Sequence, residues 1–318
     1  MHVAILSART GWHTDELCRA LAARGHLGCV LPYEGLVARL GTGDGAANAP
    51  ERHASGRLSS VRISVLDADA VLARIIPGGS LEQIIFRVDA LHWIEDHGVP
   101  VVNSPRAIER SVDKFYTTTL LQEAGLPVPQ TVVCESADEA MAAVADMGDV
   151  IIKPIFGSLG HGMVRASDPG VALRVVRSLE QMRAVFYVQR AIDAGGRDLR
   201  VFVVGSRVLG AIERRAPAGE WRTNVAIGGT AHAIDLPASL AEMACAAADA
   251  VGADYAGVDL LTSRAGETVV LEVNGIPGWR GLQGATGLDV AAAIAAQLEH
   301  RVETARPRQA PSGSSVPG

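Results

Sequence analysis

In the first hundred residues, short apolar runs alternate with segments whose apolar side chains recur at helical spacing. The apolar runs, each as long as a typical buried strand, lie at 2–6, 27–31, 69–75 and 99–103. The helical segments lie at 15–24 and 81–97. Strands that alternate with helices are typical of a parallel sheet. The pattern therefore predicts a small doubly wound α/β domain over residues 1–103.

Beyond Pro105 the pattern changes to more closely spaced strands and several helices. We expect strands at 131–134, 150–155, 185–189, 199–204 and 208–213. We expect helices at 111–123, 136–145, 237–251 and 289–303. The stretches 41–56 and 307–318 lack periodicity, and we interpret the first as a surface loop and the second as disordered.

A predicted hairpin near the C-terminus carries polar side chains on one face. The strand-like runs YAGVDLLTS and ETVVLEVN are joined by the turn RAG, and folding about this turn places Asp259 opposite Glu272. Because side chains alternate along a strand, Glu272 and Asn274 share one face, whereas Leu271 and Val273 take the other. Opposed like charges destabilise a sheet, so a cation is expected, and oxygen ligands suit Mg²⁺. The alternative is a solvated polar face that binds no metal.

A lysine at a strand end leads into the glycine-rich sequence KPIFGSLGHG. Lys153 is followed by Gly157, Ser158, Gly160 and Gly162. A lysine beside such a loop can surround phosphates with one cation and several backbone N–H groups. The loop lacks the GK[ST] ending of a Walker A motif and the glycine spacing of a Rossmann fingerprint. An ordinary glycine-rich hairpin is the alternative interpretation.

Lysine is scarce in this chain, and several cationic side chains fall near these motifs. Lys114 and Lys153 are the two lysines of the sequence, and Lys114 lies early in a predicted helix. Arg214 and Arg215 precede a polar loop that contains Arg222. Arginine is suited to bidentate contact with carboxylate or phosphate. Surface solubility is the alternative role for all five.

Composition narrows the class of protein. A chain of 318 residues with 48% hydrophobic residues is long enough for two or three structural units. Its net charge of −6 argues against a general nucleic-acid binder. The 4 cysteines form no C-x-x-C pair, which indicates free thiols and no zinc site. No apolar run approaches the ~20 residues of a membrane span, so we expect a cytoplasmic protein without membrane or nucleic-acid partners.

Several motifs occur together in the order found in one enzyme family. They are the helix that begins near Lys114, then KPIFGSLGHG, GGRDLRVFVVG, AIERRA, WRTN, AGVD and LEVNGIPG. In this order they resemble the RimK-like ATP-grasp ligases over residues 100–301. The resemblance implies an α/β (α+β) chain with an ATP-grasp fold. The implied parts are a pre-ATP-grasp domain at 1–103, a central subdomain at 104–190, a C-terminal subdomain with the metal site at 191–304, and a disordered tail at 305–318.

The family resemblance also implies an activity and a set of site residues. Such enzymes join an amine to a carboxylate through an acyl phosphate, with ATP and Mg²⁺ as cofactors and Mn²⁺ as an alternative metal. The implied ATP contacts are Lys114, Lys153, Gly157, Ser158, Gly160, Gly162, Gln189, Arg190, Asp198, Arg222, Thr223 and Asn224. The implied metal ligands are Asp259, Glu272 and Asn274. The implied catalytic residues, which would stabilise the acyl phosphate and the tetrahedral intermediate, are Arg215 and Arg222.

One segment departs from the family pattern. Where many RimK-like enzymes have V-Q-E-Y in the adenine hinge, this chain has VQRA at 188–191. Backbone contacts to adenine are unaffected by this change. A contact that needs the family's glutamate carboxylate cannot be carried over to Arg190.

The substrate is indicated by two stretches. PGGSLEQIIFRVDALHWIEDHGVPVVNSP and NGIPGWRGLQ are similar to the subgroup linked to tetrahydromethanopterin. This similarity implies that L-glutamate is joined to a carboxylate of a small pterin-type acceptor, with Trp279 and Arg280 near the acceptor; core packing is the alternative for Trp279. Glutamate addition to the C-terminal tail of a ribosomal protein is a second hypothesis, and a non-catalytic ATP-binding regulatory module is a third. Apolar faces at 81–103 and 289–303 suit either a homo-oligomer or the monomer core.

Overall fold

A computed structural model describes residues 1–41, 56–61, 63–157, 162–224 and 228–305 of the chain. The loop predicted at 41–56 and the tail predicted at 305–318 lie almost entirely outside these residues. The chain divides into two compact units, one of Met1–Ser104 with the stretch from Ala291, the other of Pro105–Val290. Within the described ranges, no helix has the length and apolar character needed to cross a bilayer.

The first unit contains a parallel sheet and a smaller antiparallel one. Its strands are β1 (His2–Ser7), β2 (Leu27–Pro32), β3 (Leu36–Leu40), β4 (Gly56–Ser60), β5 (Ile63–Ser64), β6 (Ala70–Ala73) and β7 (Val101–Val102). Its helices are α1 (Trp12–Ala23), α2 (Leu81–Asp96) and the C-terminal α9 (Val290–Ala305). The order β2-β1-β6-β7, with every pair parallel, confirms the predicted doubly wound sheet. The antiparallel sheet β3-β4-β5 was not predicted.

Local sequence explains the elements of this unit. The β1 side chains from Val3 to Ser7 are all buried, as expected for a parallel strand covered on both faces. Helix α2 begins at Ser80, whose hydroxyl accepts from the Gln83 amide at 3.3 Å. The Gln83 side chain accepts from the Ser80 amide at 3.0 Å in return. This capping box satisfies two amides that would otherwise lack helical partners.

The second unit begins with two helices and a four-stranded sheet. In chain order its first elements are α3 (Pro105–Val112), α4 (Lys114–Glu123), β8 (Thr131–Cys134), α5 (Ala137–Met147), β9 (Val150–Lys153), β10 (Val164–Ala166), α6 (Pro169–Gln181) and β11 (Phe186–Arg190). The sheet has the order β10-β9-β11-β8 with antiparallel neighbours. Buried side chains of α5 and α6 share one apolar cluster with those of the sheet.

The helix predicted at 111–123 ends where predicted but begins later, because α3 ends at Val112 and α4 begins at Lys114. The Asp113 carboxylate accepts from the Tyr116 amide at 3.0 Å and so caps a new helix. An aspartate at this position favours a fresh helix start over continuation. Lys114 consequently occupies the first position of α4 rather than the fourth position of a longer helix.

The second unit ends in a five-stranded antiparallel sheet. Its elements are β12 (Arg197–Val204), β13 (Arg207–Arg215), β14 (Thr230–Ala233), α7 (Ala238–Val251), β15 (Tyr255–Thr262), β16 (Thr268–Asn274) and α8 (Arg280–Thr286). The strand order is β14-β13-β12-β15-β16. One face of the sheet packs against α7, with Val201, Val258 and Ala244 among the buried residues. The opposite face is therefore the one that can carry polar side chains.

Candidate active site

The polar face of the five-stranded sheet carries a row of charged residues. Along β12, Val201 faces the apolar core, whereas Asp198 and Arg200 point to the other side by strand alternation. Arg200 lies opposite Asp259 of β15, which lies opposite Glu272 of β16. The predicted pairing of Asp259 with Glu272 is confirmed. Three adjacent strands therefore bring one cation and two carboxylates into a single row.

A β-bulge follows this row. The register shifts after Asp259, so that Leu260 pairs with Val270 and Leu271 is left over. Val270 and Val273 both enter the apolar core, although they are three residues apart. The prediction that Leu271 packs on that side is therefore wrong. Bulges re-aim side chains next to functional sites, and this one keeps Glu272 on the polar face.

The Asp259 carboxylate is buried and held by two arginines. Arg200 donates from Nε to Oδ1 at 2.5 Å and from Nη2 to Oδ2 at 2.6 Å. Nη2 of Arg214 lies 3.0 Å from Oδ2. Burial raises the pKa of Asp259, but Arg200 and then Arg214 outweigh it and hold the pKa below its ordinary value. Asp259 is therefore an anion at neutral pH.

Arg214 links this carboxylate to a second one. It donates to both oxygens of Asp198 at 2.7 Å, and the Thr223 hydroxyl also bonds to Asp198. Burial disfavours the charge of Arg214, but Asp259 and Asp198 raise its pKa above the ordinary value. A side chain at Gly229 would collide with the Thr223 carbonyl, so only glycine allows this close approach. The loop before β14 is thereby tied to the polar face.

The Asn274 amide completes the row beside Glu272. With its oxygen turned toward Arg200 Nη2 at 3.2 Å, its nitrogen donates to Glu272 Oε1 at 3.2 Å. Asp259, Glu272 and Asn274 thus offer oxygen atoms on neighbouring strands, the donor type that Mg²⁺ prefers. Among the described residues, no three His, Cys, Asp or Glu side chains gather into a metal-binding group. Two carboxylates and one amide oxygen are donor types that suit Mg²⁺.

Lys153 lies in a buried hydrogen-bond network on the four-stranded sheet. Its ammonium donates to Gln189 Oε1 at 2.6 Å, and Gln189 Nε2 donates to the Tyr187 hydroxyl at 3.2 Å. That hydroxyl pairs with Thr118 Oγ1 of α4 at 2.8 Å. Burial lowers the pKa of Lys153 from 10.5 to about 8, Glu272 opposes the shift, and Lys114 adds to it. Gln189 is therefore placed to orient Lys153.

Lys114 bridges to the edge of the glycine-rich loop. Its ammonium donates to the Gly157 carbonyl at 2.8 Å and to the Ile155 carbonyl at 3.3 Å. Burial lowers the pKa of Lys114, and Glu272 opposes this effect. The Glu272 carboxylate thus acts to raise the pKa of both lysines. Two predicted phosphate contacts therefore interact electrostatically with a predicted metal ligand.

The other residues predicted to contact the nucleotide lie in different local environments. The exposed Arg190 side chain donates to Gln130 Oε1, with Nε at 2.9 Å. Gly162 has φ +74°, a backbone conformation that suits glycine. Asp198 already accepts hydrogen bonds from Arg214 and Thr223, and the predicted ATP contact would compete with these partners. Asn224 accepts through its carbonyl from the Gly229 amide at 3.2 Å. Ser158 and Gly160 lie outside the described residues.

The two predicted catalytic arginines lie on or beside β13, each paired with a nearby glutamate. Arg215 donates from Nε to Glu213 Oε1 at 2.5 Å, and its side chain is exposed. Arg222 donates from Nη2 to Glu220 Oε2 at 2.6 Å. Hydrogen bonds from the Arg222 side chain and backbone lower the pKa of Glu220 to about 2. Each arginine thus already contacts a glutamate in the free chain.

Sequence reasoning missed Arg200 and left two roles open for Trp279. Arg200 lies two residues after Asp198, so strand alternation already placed both on one face. The Trp279 side chain has 0% exposure, which favours the core-packing role over a contact with the acceptor. Arg280, the next residue, is exposed.

The geometry can now be compared with known proteins. The sequence model of the RimK-like ATP-grasp domain matches residues 111–298, which is more than half of the chain. The chain belongs to the RimK-like ATP-grasp family. It is consequently a ligase that forms carbon–nitrogen bonds with ATP and Mg²⁺, as the sequence motifs predict.

Relatives cover most of this ligase. It is 36% identical over 265 residues to the tetrahydromethanopterin:alpha-L-glutamate ligase of Methanosarcina acetivorans, covering 75% of this chain and 82% of the relative. It is 35% identical over 306 residues to a probable alpha-L-glutamate ligase of Xanthomonas axonopodis pv. citri, covering 95% and 98%. The crystal structure of a RimK domain ATP-grasp protein from Sphaerobacter thermophilus matches with a TM-score of 0.68 at 25% identity, covering 94% of this chain and 100% of that one. The predicted ATP-grasp fold is confirmed.

Proposed function

We propose that the ligase joins L-glutamate to a carboxylate of a small pterin-type acceptor such as tetrahydromethanopterin. Glutamate as the amino acid is supported by relatives from two domains of life that carry this activity in their names. The pterin acceptor is supported by the relative from Methanosarcina acetivorans, which is 36% identical.

The observation that supports a ligase reaction is the electrostatic interaction of two lysines with the carboxylates on the polar face. Lys114 and Lys153 both interact with the charge of Glu272, which lies opposite Asp259. We assign both lysines to ATP phosphates and assign Asp259, Glu272 and Asn274 to Mg²⁺, with Mn²⁺ as a substitute. A bound Mg²⁺ supplies charge neutralisation to the phosphates. The lysines position the nucleotide and offset its remaining negative charge.

In the proposed reaction, a carboxylate oxygen of the acceptor attacks the γ-phosphorus of ATP, and ADP leaves. The amine of glutamate then attacks the acyl carbon, and phosphate leaves with one oxygen of the original carboxylate and one proton from the amine. An amide remains. Arg215 and Arg222 are assigned to the acyl phosphate and the tetrahedral intermediate, because guanidinium groups bind such oxyanions in bidentate fashion. In the free chain these two side chains contact Glu213 and Glu220.

The acceptor must be recognised without the Trp279 side chain, since that ring is buried. Arg280 lies directly after the candidate metal-binding strand and its turn, and its side chain is exposed. We assign Arg280 to a carboxylate or phosphate of the acceptor. This assignment needs only the charge of Arg280 and not an aromatic platform beside it.

The test measures phosphate release from Mg-ATP in the presence of L-glutamate, with and without tetrahydromethanopterin. Release that requires both substrates, with a product heavier by one glutamyl residue, supports the proposal. A parallel reaction offers a peptide that ends in glutamate. Turnover of the peptide but not of tetrahydromethanopterin would show that the acceptor is a protein tail and not a small pterin. Tight ATP binding without turnover of either acceptor would leave a nucleotide-binding protein and contradict the proposed reaction.

A further inference from the structure

Arg200 occupies the space between the candidate metal ligands. Its guanidinium contacts both oxygens of Asp259, and Nη2 also lies 3.2 Å from the Asn274 oxygen in the orientation that satisfies the amide. Its Cδ atom lies over Gly257, where a side chain would come within 3.3 Å of it. Glycine at that position opposite Asn274 leaves room for the arginine. A cation therefore already bridges two of the three residues assigned to Mg²⁺.

The same oxygens cannot serve Arg200 and a metal ion equally well. An ionised carboxylate has about four lone-pair positions, and three N–H contacts from Arg200 and Arg214 already address Asp259. A divalent ion bound at about 2.1 Å from an Asp259 oxygen would lie beside a guanidinium of like charge. Metal entry is therefore opposed as long as Arg200 keeps its bidentate contact.

The two arginines differ in how firmly they are held. The Arg214 side chain is 7% exposed and also bonds twice to the buried Asp198. The Arg200 side chain is 17% exposed, and its charge-assisted contacts are to Asp259. A buried arginine with two carboxylate partners loses more on moving than one at the edge of the site. Arg200 is thus the partner that can leave Asp259.

We propose that Arg200 is a placeholder that keeps Asp259 and Asn274 in position without metal and must release Asp259 when Mg²⁺ enters. This proposal rests on the metal assignment made above for Asp259, Glu272 and Asn274. Arg200 is then a positioning residue whose guanidinium competes with the metal. It keeps Asp259 ionised and ordered in the free enzyme and weakens metal binding until nucleotide phosphates supply further ligands.

The test measures binding of Mn²⁺ alone, without nucleotide, by the electron paramagnetic resonance signal of the free ion. Arg200→Met should bind Mn²⁺ roughly tenfold more tightly than the wild-type chain, the order of one charge-assisted contact. Arg200→Lys, which cannot form the bidentate pair, should lie in between. Lys114→Met is the matched control, because it removes one positive charge near Glu272 without touching the Asp259 oxygens.

The outcomes distinguish a specific effect of Arg200 from an effect of net charge. Equal tightening in Arg200→Met and Lys114→Met would reduce the effect to net charge and overturn the placeholder role. Unchanged or weaker Mn²⁺ binding in Arg200→Met would also overturn it and leave the proposed ligase reaction standing. Mn²⁺ binding that survives in Asp259→Asn would instead remove the metal assignment, and the placeholder role with it.

A second measurement uses the wild-type chain and does not depend on a folded methionine variant. The side-chain Nε–H signal that is lost in Arg200→Lys is followed by nitrogen-15 NMR during titration with Mg²⁺ and ADP. We expect this signal to shift and to exchange faster with water when Asp259 is released. A signal that keeps its position and its protection at saturating Mg²⁺ and ADP would contradict the proposal.

Discussion

ATP binding should draw protons onto the enzyme at mildly alkaline pH, because Lys153 is buried before the phosphates arrive. Its ammonium has Gln189 Oε1 as a neutral acceptor at 2.6 Å, and burial lowers its pKa to about 8. A triphosphate beside the ammonium favours the charged form and raises the pKa again. The sign follows directly, since a base that is partly neutral in the free enzyme becomes fully charged in the complex.

The magnitude can be worked out from that pKa. At pH 8 about half of the Lys153 side chains are neutral in the free enzyme, so binding takes up about 0.5 proton. At pH 7 the uptake falls to about 0.1 proton, and at pH 9 it rises to about 0.9. Affinity for ATP should correspondingly weaken by about tenfold between pH 7 and pH 9, as proton linkage requires.

The assay is calorimetric titration with Mg-ATP in pairs of buffers that differ in ionisation enthalpy. The difference in observed heat divided by the difference in ionisation enthalpy gives the number of protons taken up. Lys153→Arg keeps a permanent charge and should remove the share of the uptake at pH 8 that comes from Lys153. Lys114→Arg measures how much the second lysine contributes, because burial lowers its pKa in the same direction.

The reasoning would be refuted by an uptake at pH 8 that is the same in the wild-type chain and in Lys153→Arg. It would also be refuted if the wild-type chain took up no protons from pH 7 to pH 9 while binding ATP. Either result would mean that Lys153 is already charged in the free enzyme or does not meet the phosphates.

Three further predictions concern the polar face and the core. Glu272→Gln should lower phosphate release more than about a hundredfold with little change in melting temperature by calorimetry; retained turnover would remove it from the metal site. Asp259→Ala leaves Arg200 without its carboxylate partner and Arg214 with Asp198 alone, so urea denaturation should show a loss of about 3–5 kcal/mol in unfolding free energy, and an unchanged midpoint would refute the network. Trp279→Ala should cost about 3–5 kcal/mol in the same assay, whereas Trp279→Phe should leave KM for the acceptor unchanged; a raised KM in Trp279→Phe would return this ring to the acceptor site.

Much of the candidate site follows from short-range patterns in the sequence. The midpoint of the last hairpin placed Asp259 roughly opposite Glu272, although the pairs nearest the turn alone would set it against Leu271, and the bulge completes the register. The parallel sheet of the first unit followed from strands that alternate with helices. Both results depend on periodicity, which the sequence displays directly.

The contacts between distant strands could not be predicted in this way. Arg200 and Asp259 are 59 positions apart, and the pairing of β12 with β15 depends on the order of strands in the sheet. The bulge at Leu271 adds a residue that alternation cannot anticipate. Helix α6 was missed although Asp168 and Pro169 form a cap and first turn, and although Ala172, Val176 and Leu179 follow at helical spacing.

Oxygen labelling tests whether the acceptor carboxylate is activated as an acyl phosphate. The acceptor, tetrahydromethanopterin, is prepared with oxygen-18 in its carboxylate and incubated with the ligase, Mg-ATP and L-glutamate. The released phosphate is then examined by mass spectrometry. We expect each phosphate released with amide product to carry one oxygen-18 atom. The second oxygen-18 atom of the carboxylate should remain in the amide carbonyl. Amide formation with unlabelled phosphate would contradict activation as an acyl phosphate.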